Sequence, residues 1–200
     1  MDCVALLTGT SSEYLGRRPL PRLLKQRPLL IVLGPPGVGK TSVARRVLGS
    51  SATVLKGQLL QDAAAAAVRR RSWPEELETT GALLIDGPTL LNRRPGVTRL
   101  LCALIRRRAE AGLPTAVCQG SGDDSVLLLA DEIDAAHRVT LSLRFPTRRG
   151  RVRWASRLCQ QLGLDKELAR AVHPEDQWTY LKVIRALNRS KREQESSLER

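Results

Sequence analysis

Apolar residues along the chain fall into two rhythms. Leu29-Leu30-Ile31-Val32-Leu33, Leu83-Leu84-Ile85 and Thr115-Ala116-Val117-Cys118 are short apolar runs, and such runs read as buried strands, with Val139 to Phe145 as the last strand. Thr53-Val54-Leu55 is a shorter candidate of the same kind. Between these runs the spacing changes to that of a helix. Val97, Leu100, Leu101, Leu104 and Ile105 follow i, i+3, i+4, i+7, i+8, which predicts one apolar helix face with Arg99, Arg106, Arg107 and Arg108 turned away, stopped by Gly112. Helices are also predicted over Ser42–Leu48 and Gln58–Arg71, the latter with five alanines and ended by Trp73-Pro74. Strands alternating with helices predict an α/β fold with a parallel sheet, an αβα sandwich. From Thr147 onward only helical patterns remain, over roughly 148–162, 165–172 and 175–189. Val152, Ala155, Leu158, Cys159 and Leu162 form one inward stripe there, and Trp178, Leu181, Ile184 and Leu187 another. The expected organisation is an irregular segment 1–28, a core 29–146, a small all-α lid 147–190, and a polar tail 191–200 that frays.

The chemistry is announced where the first apolar run ends. Gly34-Pro35-Pro36-Gly37-Val38-Gly39-Lys40-Thr41 fits G-x-x-x-x-G-K-[ST], the phosphate-binding P-loop or Walker A motif. The glycines let the backbone turn and aim N–H groups at phosphate oxygens. The lysine places a charge on the β- and γ-phosphates, and the threonine hydroxyl is a Mg²⁺ ligand. The following helix directs its positive end at the same anion. The competing reading is an ordinary Gly/Pro-rich strand-to-helix turn. The motif names Gly34 through Thr41, with Ser42 beside them, as the nucleotide-binding segment. Asp86 closes the Leu83–Ile85 strand, where P-loop proteins keep a carboxylate for Mg²⁺; the alternative is a capping aspartate before Gly87-Pro88. Thr41 and Asp86 are therefore the metal candidates. Many hydrolytic relatives place a second acid directly after the first. Here that position is Gly87, so binding without efficient hydrolysis is an open outcome.

Charge adds a second theme. Thirty-three basic residues against 20 acidic ones give a net charge of +13, which favours polyanion partners. Codon bias toward arginine is the bland alternative. The densest clusters are Arg69-Arg70-Arg71, Arg106-Arg107-Arg108 and Arg148-Arg149-Arg151-Arg153. Each alone also reads as a solvated helix face. Cys3, Cys102, Cys118 and Cys159 form no C-x-x-C pair, and His137 and His173 lie far apart, which argues against zinc or a disulfide framework. No apolar run has transmembrane length and no signal peptide is legible, so a cytoplasmic protein without a membrane partner is expected.

Taken in order, strand, P-loop, helix, Leu83-Leu84-Ile85-Asp86, helix, strand and helical lid resemble the AAA+ ATPases, and within them the bacterial replication-initiator (DnaA) and Hda-type group. The likeness runs over roughly 29–188. It implies the P-loop NTPase fold, ATP and Mg²⁺ as cofactors, and a polar sensor after the fourth strand, for which Gln119 is the best match. Lys40, Asp86 and Gln119 are then the catalytic candidates. The arginine this family extends into a neighbouring subunit would fall near Asp131-Glu132-Ile133-Asp134, an acidic stretch with Arg138 and Arg144 nearby but out of place. The lid arginine would fall near Tyr180, where Lys182 or Arg185 are the substitutes. The initiators' helix-turn-helix domain is not expected in this sequence.

Three functions fit. The first is an ATP-binding AAA+-type regulator or adaptor with slow ATP hydrolysis, acting on non-specific DNA or an acidic, DNA-associated protein, with an oligomer left open. The alternatives are a small P-loop kinase for a metabolite and a nucleic-acid-binding module with a vestigial nucleotide site. The absence of a guanine-reading N-K-x-D favours ATP over GTP.

Overall fold

The computed structural model describes residues 24–88, 95–120, 133, 135–145, 148–165 and 180–198. Five strands, β1 (Leu29–Leu33), β2 (Thr53–Lys56), β3 (Leu83–Asp86), β4 (Thr115–Gln119) and β5 (Arg138–Ser142), form one sheet in the order β2-β3-β4-β1-β5. All four pairings are parallel. The helices are α1 (Lys40–Leu48), α2 (Gly57–Arg70), α3 (Glu75–Thr79), α4 (Pro95–Glu110), α5 (Arg148–Leu162) and α6 (Tyr180–Leu198). The described chain divides into two compact units, a larger one holding the sheet and a smaller one holding α5 and α6.

The central strands β1, β3 and β4 of this parallel sheet are covered on both faces, which is why they read as nearly unbroken apolar runs. The edge strands β2 and β5 are partly exposed, and β5 runs over Arg138–Ser142 instead of the expected Val139 to Phe145. Leu29, Ile31, Leu83, Ile85 and Val117 pack with Leu60, Ala64 and Ala67 of α2, Leu77 of α3, and Val97, Leu101, Leu104 and Ile105 of α4. Leu30, Val32, Leu84, Ala116 and Cys118 alternate with them and are equally buried. The opposite face is where α1 lies, with Val43 and Ala44 buried. No helix among the described residues is long and apolar enough to cross a membrane.

Several expectations are corrected. Arg108 does not turn away from the α4 core; it is fully buried (0% exposed). It lies four residues after Leu104 and three after Ile105, so the helical stripe itself carries it inward. All five N–H donors of its guanidinium are used. Nε donates to Thr115 Oγ1 (2.9 Å), Nη1 to the carbonyls of Leu77 (2.8 Å) and Thr80 (2.9 Å), and Nη2 to those of Gly81 (2.9 Å) and Pro114 (3.2 Å). Leu77 and Thr80 lie at the C-terminal end of α3, where exposed carbonyls favour a cation. Burial lowers the Arg108 pKa from its usual value. The neighbouring Arg107 instead makes a half-exposed ion pair with Glu78 at 2.6 Å.

In the smaller unit Trp154, Ala155, Leu158, Cys159, Leu162 and Leu164 of α5 and its cap pack with Val183 and Leu187 of α6. Val152, expected in that stripe, is half-exposed, and Val183 rather than Ile184 is the fully buried position. The helix end is sealed by Gly163 at φ 71°, with Leu164 N donating to Cys159 O at 2.9 Å. This is the glycine-terminated cap in which the next apolar residue tucks under the helix. α6 runs on to Leu198 instead of fraying after 190. Its last turns are rich in Lys, Arg, Glu and Gln, which hold helix well without a core. The segment before 24, Asp131, Glu132, Asp134, and the helical stretch expected over 165–172 lie outside the described residues, as does Trp178.

Arg108→Ala leaves five acceptors around a void and should cost about 3–5 kcal/mol in urea unfolding. Arg107→Ala removes only a surface ion pair and should cost less than about 1 kcal/mol. Equal costs for the two variants would contradict the clamp.

Candidate functional site

From the end of β1 the chain leaves for β2 on one side of the sheet. From the end of β4, its immediate neighbour, it leaves for β5 on the other side. Such a switch in direction opens a crevice at the carboxyl ends of the two strands, the place where α/β sheets receive ligands. The segment Gly34–Gly39 lies at that edge, between the last residue of β1 and the first of α1. Gly37 and Gly39 sit at φ 76° and 93°, left-handed values that side chains resist. α1 then begins at Lys40 itself, with no acidic residue in its first turn to compete for its N–H groups.

Lys40 folds back over the loop. Its Nζ donates to the carbonyls of Gly34 (2.7 Å) and Pro35 (2.9 Å). Burial lowers its pKa from the usual lysine value, while the nearby Asp86 carboxylate works the other way. Thr41 Oγ1 donates to Asp86 Oδ2 at 2.7 Å. Two residues 45 positions apart thus place hard oxygen atoms at one point. Oxygen donors of this kind suit Mg²⁺, which takes few protein ligands and keeps waters or phosphates for the rest. Thr41 and Ser42 are both half-buried, and Val38 is buried.

The strand pleat explains why Asp86 meets Thr41. Asp86 pairs in register with Cys118, on the face of Leu84 and Ala116, which is the face carrying α1. Gln119, one position on, pairs with Leu33 and shares the face of Val117 instead. Its side chain is buried (1% exposed). Its contact with the loop is through the backbone: Gly34 N donates to Gln119 O at 3.3 Å. The adjoining carbonyl, Cys118 O, accepts from Gly87 N at 3.0 Å. Burial, with Asp86 adding to it, pushes the Cys118 thiol pKa far above its usual value. Sequence reading placed Cys118 among core residues; its position beneath the site follows from register, which no local pattern reveals.

Gly87 sits at φ 75°, so the chain turns sharply after the carboxylate. Arg138 opens β5 level with Leu29, at the opposite end of the strands from the P-loop. Lys182 and Arg185 are exposed on α6. Arg69, Arg70 and Arg71 form an exposed end of α2, and Arg149 and Arg153 are exposed near the start of α5. With Arg108 buried, the α4 cluster offers only Arg106 and Arg107 to solvent.

No family model matches the sequence, and no curated protein matches it. Solved structures do match the fold. A replication initiator DnaA bound to AMPPCP and single-stranded DNA superposes with a TM-score of 0.67 at 10% identity, covering 84% of this chain and 58% of that one. AMPPCP-bound DnaA from Aquifex aeolicus gives 0.65 at 12% identity, covering 90% and 65%. Domain III of the Thermotoga maritima initiator DnaA gives 0.61 at 15% identity, covering 82% and 75%. The present chain therefore spans 58% and 65% of the first two initiator chains. The fold is the one these DnaA initiator structures have, as the sequence motifs led one to expect.

Cys102, Cys118 and Cys159 are all buried. In a Cys3→Ser background Ellman's reagent should therefore react only as fast as the protein unfolds, and fully in guanidinium. A thiol titrating within seconds in the native protein would contradict the packing around Cys118.

Proposed function

We propose that this protein binds ATP with Mg²⁺ and acts as a nucleotide-dependent regulator or adaptor of the AAA+ type. The observation that carries the reading is the Thr41–Asp86 contact at 2.7 Å, beside a P-loop whose lysine is already in place. In this reading Gly37 to Ser42 hold the phosphates through backbone N–H groups and the α1 N-terminus, while Gly34, Pro35 and Pro36, two of them without an N–H, shape the loop around them. Lys40 exchanges its two carbonyl contacts for phosphate oxygens, and Thr41 and Asp86 hold the metal. The metal neutralises phosphate charge when bound. Gln119 positions the loop through its carbonyl and supplies a polar group at the end of β4. The AMPPCP bound to the DnaA structures supports ATP as the nucleotide.

We further propose that hydrolysis is slow. Gly87 offers no side chain to orient water, and Arg138 begins its strand at the far end of the sheet. A cytoplasmic regulator that binds ATP and hydrolyses it slowly fits these features better than a metabolite kinase, because Thr89 to Gly96 and Ser121 to His137 offer little of the arginine-rich lid a kinase needs apart from Arg93-Arg94. The surplus of positive charge, together with the single-stranded DNA in the initiator structure, supports DNA as a sequence-independent partner.

Calorimetry should show Mg-ATP binding that Lys40→Ala weakens by about tenfold or more, a charged hydrogen bond being worth about 1.5–3 kcal/mol. Unchanged affinity would overturn the site. Turnover of the isolated protein should lie well below the enzyme median of about 10 per second.

Anisotropy with two unrelated DNA sequences should give similar affinities that fall steeply with salt, with a log–log slope of about −0.9 per phosphate contacted on duplex. Binding to one sequence alone would mean that bases are read, and no binding at low salt would exclude DNA.

A further inference from the structure

The far end of α2 carries a feature that the nucleotide site does not use. Ala65 and Val68 of α2 and Pro95, Gly96 and Val97 of α4 line an apolar groove of about 370 Å³. Val68 is 48% exposed. Within a run of alanines, a β-branched residue at an exposed helix position lowers helix stability and gains nothing from the core. The alanines keep the groove open, since nothing longer than a methyl group projects from that part of α2. Two arginines stand at this end of α2. Arg69 follows Ala65 by four residues, the spacing that makes helix neighbours, and Arg71 is the cap residue just beyond the helix, three residues after Val68 in sequence. Both are exposed, and neither forms an ion pair among the described residues. Arg71 also holds φ 57° as the cap of α2, the single non-glycine with positive φ among the described residues. α4 and α5 end in glycine at the same point, Gly112 and Gly163. Glycine would relieve about 1 kcal/mol there, so this helix keeps a guanidinium where its own stability would favour none.

From this juxtaposition we propose that the α2–α4 groove docks an acidic peptide segment of a partner protein. A large apolar side chain of the segment enters between Val68 and Pro95–Val97, and its flanking carboxylates meet Arg69 and Arg71. The apolar floor distinguishes this partner from nucleic acid. No lining residue is aromatic, so bases have nothing to stack on, and phosphates gain nothing from Val68. Carboxylates beside an apolar anchor match both halves of the surface. The site is independent of Lys40, Thr41 and Asp86.

The test is selection from a phage library of random dodecapeptides on the full-length protein, followed by anisotropy with the enriched peptide. Enriched sequences should combine Asp or Glu with Leu, Phe or Trp. Val68→Asp and the double variant Arg69→Glu/Arg71→Glu should each weaken the peptide by about tenfold or more, close to 1.4 kcal/mol, with Mg-ATP affinity unchanged as proof of folding. Replacing the peptide's apolar residues by serine should weaken it as strongly. Failure to enrich any such sequence overturns the proposal, as does binding indifferent to Val68→Asp, or a serine-substituted peptide that binds as well. Displacement of the peptide by labelled oligo-dT, with oligo-dT binding that needs Arg69 and Arg71 but not Val68, would assign the surface to nucleic acid instead.

Discussion

The last two residues of β4 hold the site together. β1 and β3 are separated by one strand, so their carboxyl ends stand about 10 Å apart, two inter-strand spacings. The P-loop grows from one and Asp86 from the other. β4 fills the gap and accepts a hydrogen bond from each side: Gln119 O from Gly34 N, and Cys118 O from Gly87 N. The first fixes where the loop leaves β1. The second fixes the turn that follows Asp86. With both turns tied to one strand, α1 can cross that strand's end and bring Thr41 to 2.7 Å from Asp86. A buried Cys118 suits the space beneath, because its thiol stays neutral beside Lys40 and Asp86 and adds no charge of its own.

The two ends of the sheet solve opposite electrostatic problems. At the carboxyl edge the chain brings a lysine and the start of α1 to the loop where, on the proposed reading, a polyanion binds. At the other edge Arg108 has no carboxylate within its bonds and is surrounded by carbonyl oxygens and one hydroxyl. A buried cation is costly unless each donor is matched. Here four carbonyls and Thr115 match all five. The result ties the end of α3, the start of β4 and the last turn of α4 to one group. The planar guanidinium makes this possible, and the three donors of a lysine would leave acceptors unmatched.

The sequence made the strands, the P-loop and Asp86 legible because each is a local pattern. An apolar run, a glycine spacing and a polar residue closing the run need no knowledge of the rest of the chain. Strand order is different. That β4 lies between β1 and β3 is a matter of which runs pair, and four similar runs give no local sign of it. Cys118 could be read as a core cysteine and Gln119 as a sensor candidate, but that their carbonyls accept from both halves of the site could not be read. Arg108 was misread for another reason. Its position on the stripe after Leu104 and Ile105 was visible, but its charge outweighed its phase. When the i+3/i+4 pattern carries an arginine inward, its partners are backbone groups that composition cannot show.

Backbone geometry also bears on the slow turnover proposed for this site. The residue after Asp86, Gly87, still donates its N–H to Cys118 O as a rung of the β3–β4 ladder, and turns the chain away there at φ 75°. An added Cβ there would meet no neighbouring atom, so space does not exclude a glutamate. The conformation disfavours it, by about 1–2 kcal/mol for an L-residue in the left-handed region. A side chain at that position would also leave the backbone in a direction set by this turn, whereas a strand continuing straight would carry it to the face opposite Asp86. A strand running on for another residue would keep the hydrogen bond to Cys118, which is the next rung of the β3–β4 ladder, but would lose the left-handed turn at Gly87. On the proposed reading, poor activation of water goes with the glycine turn that directly follows the metal-holding Asp86.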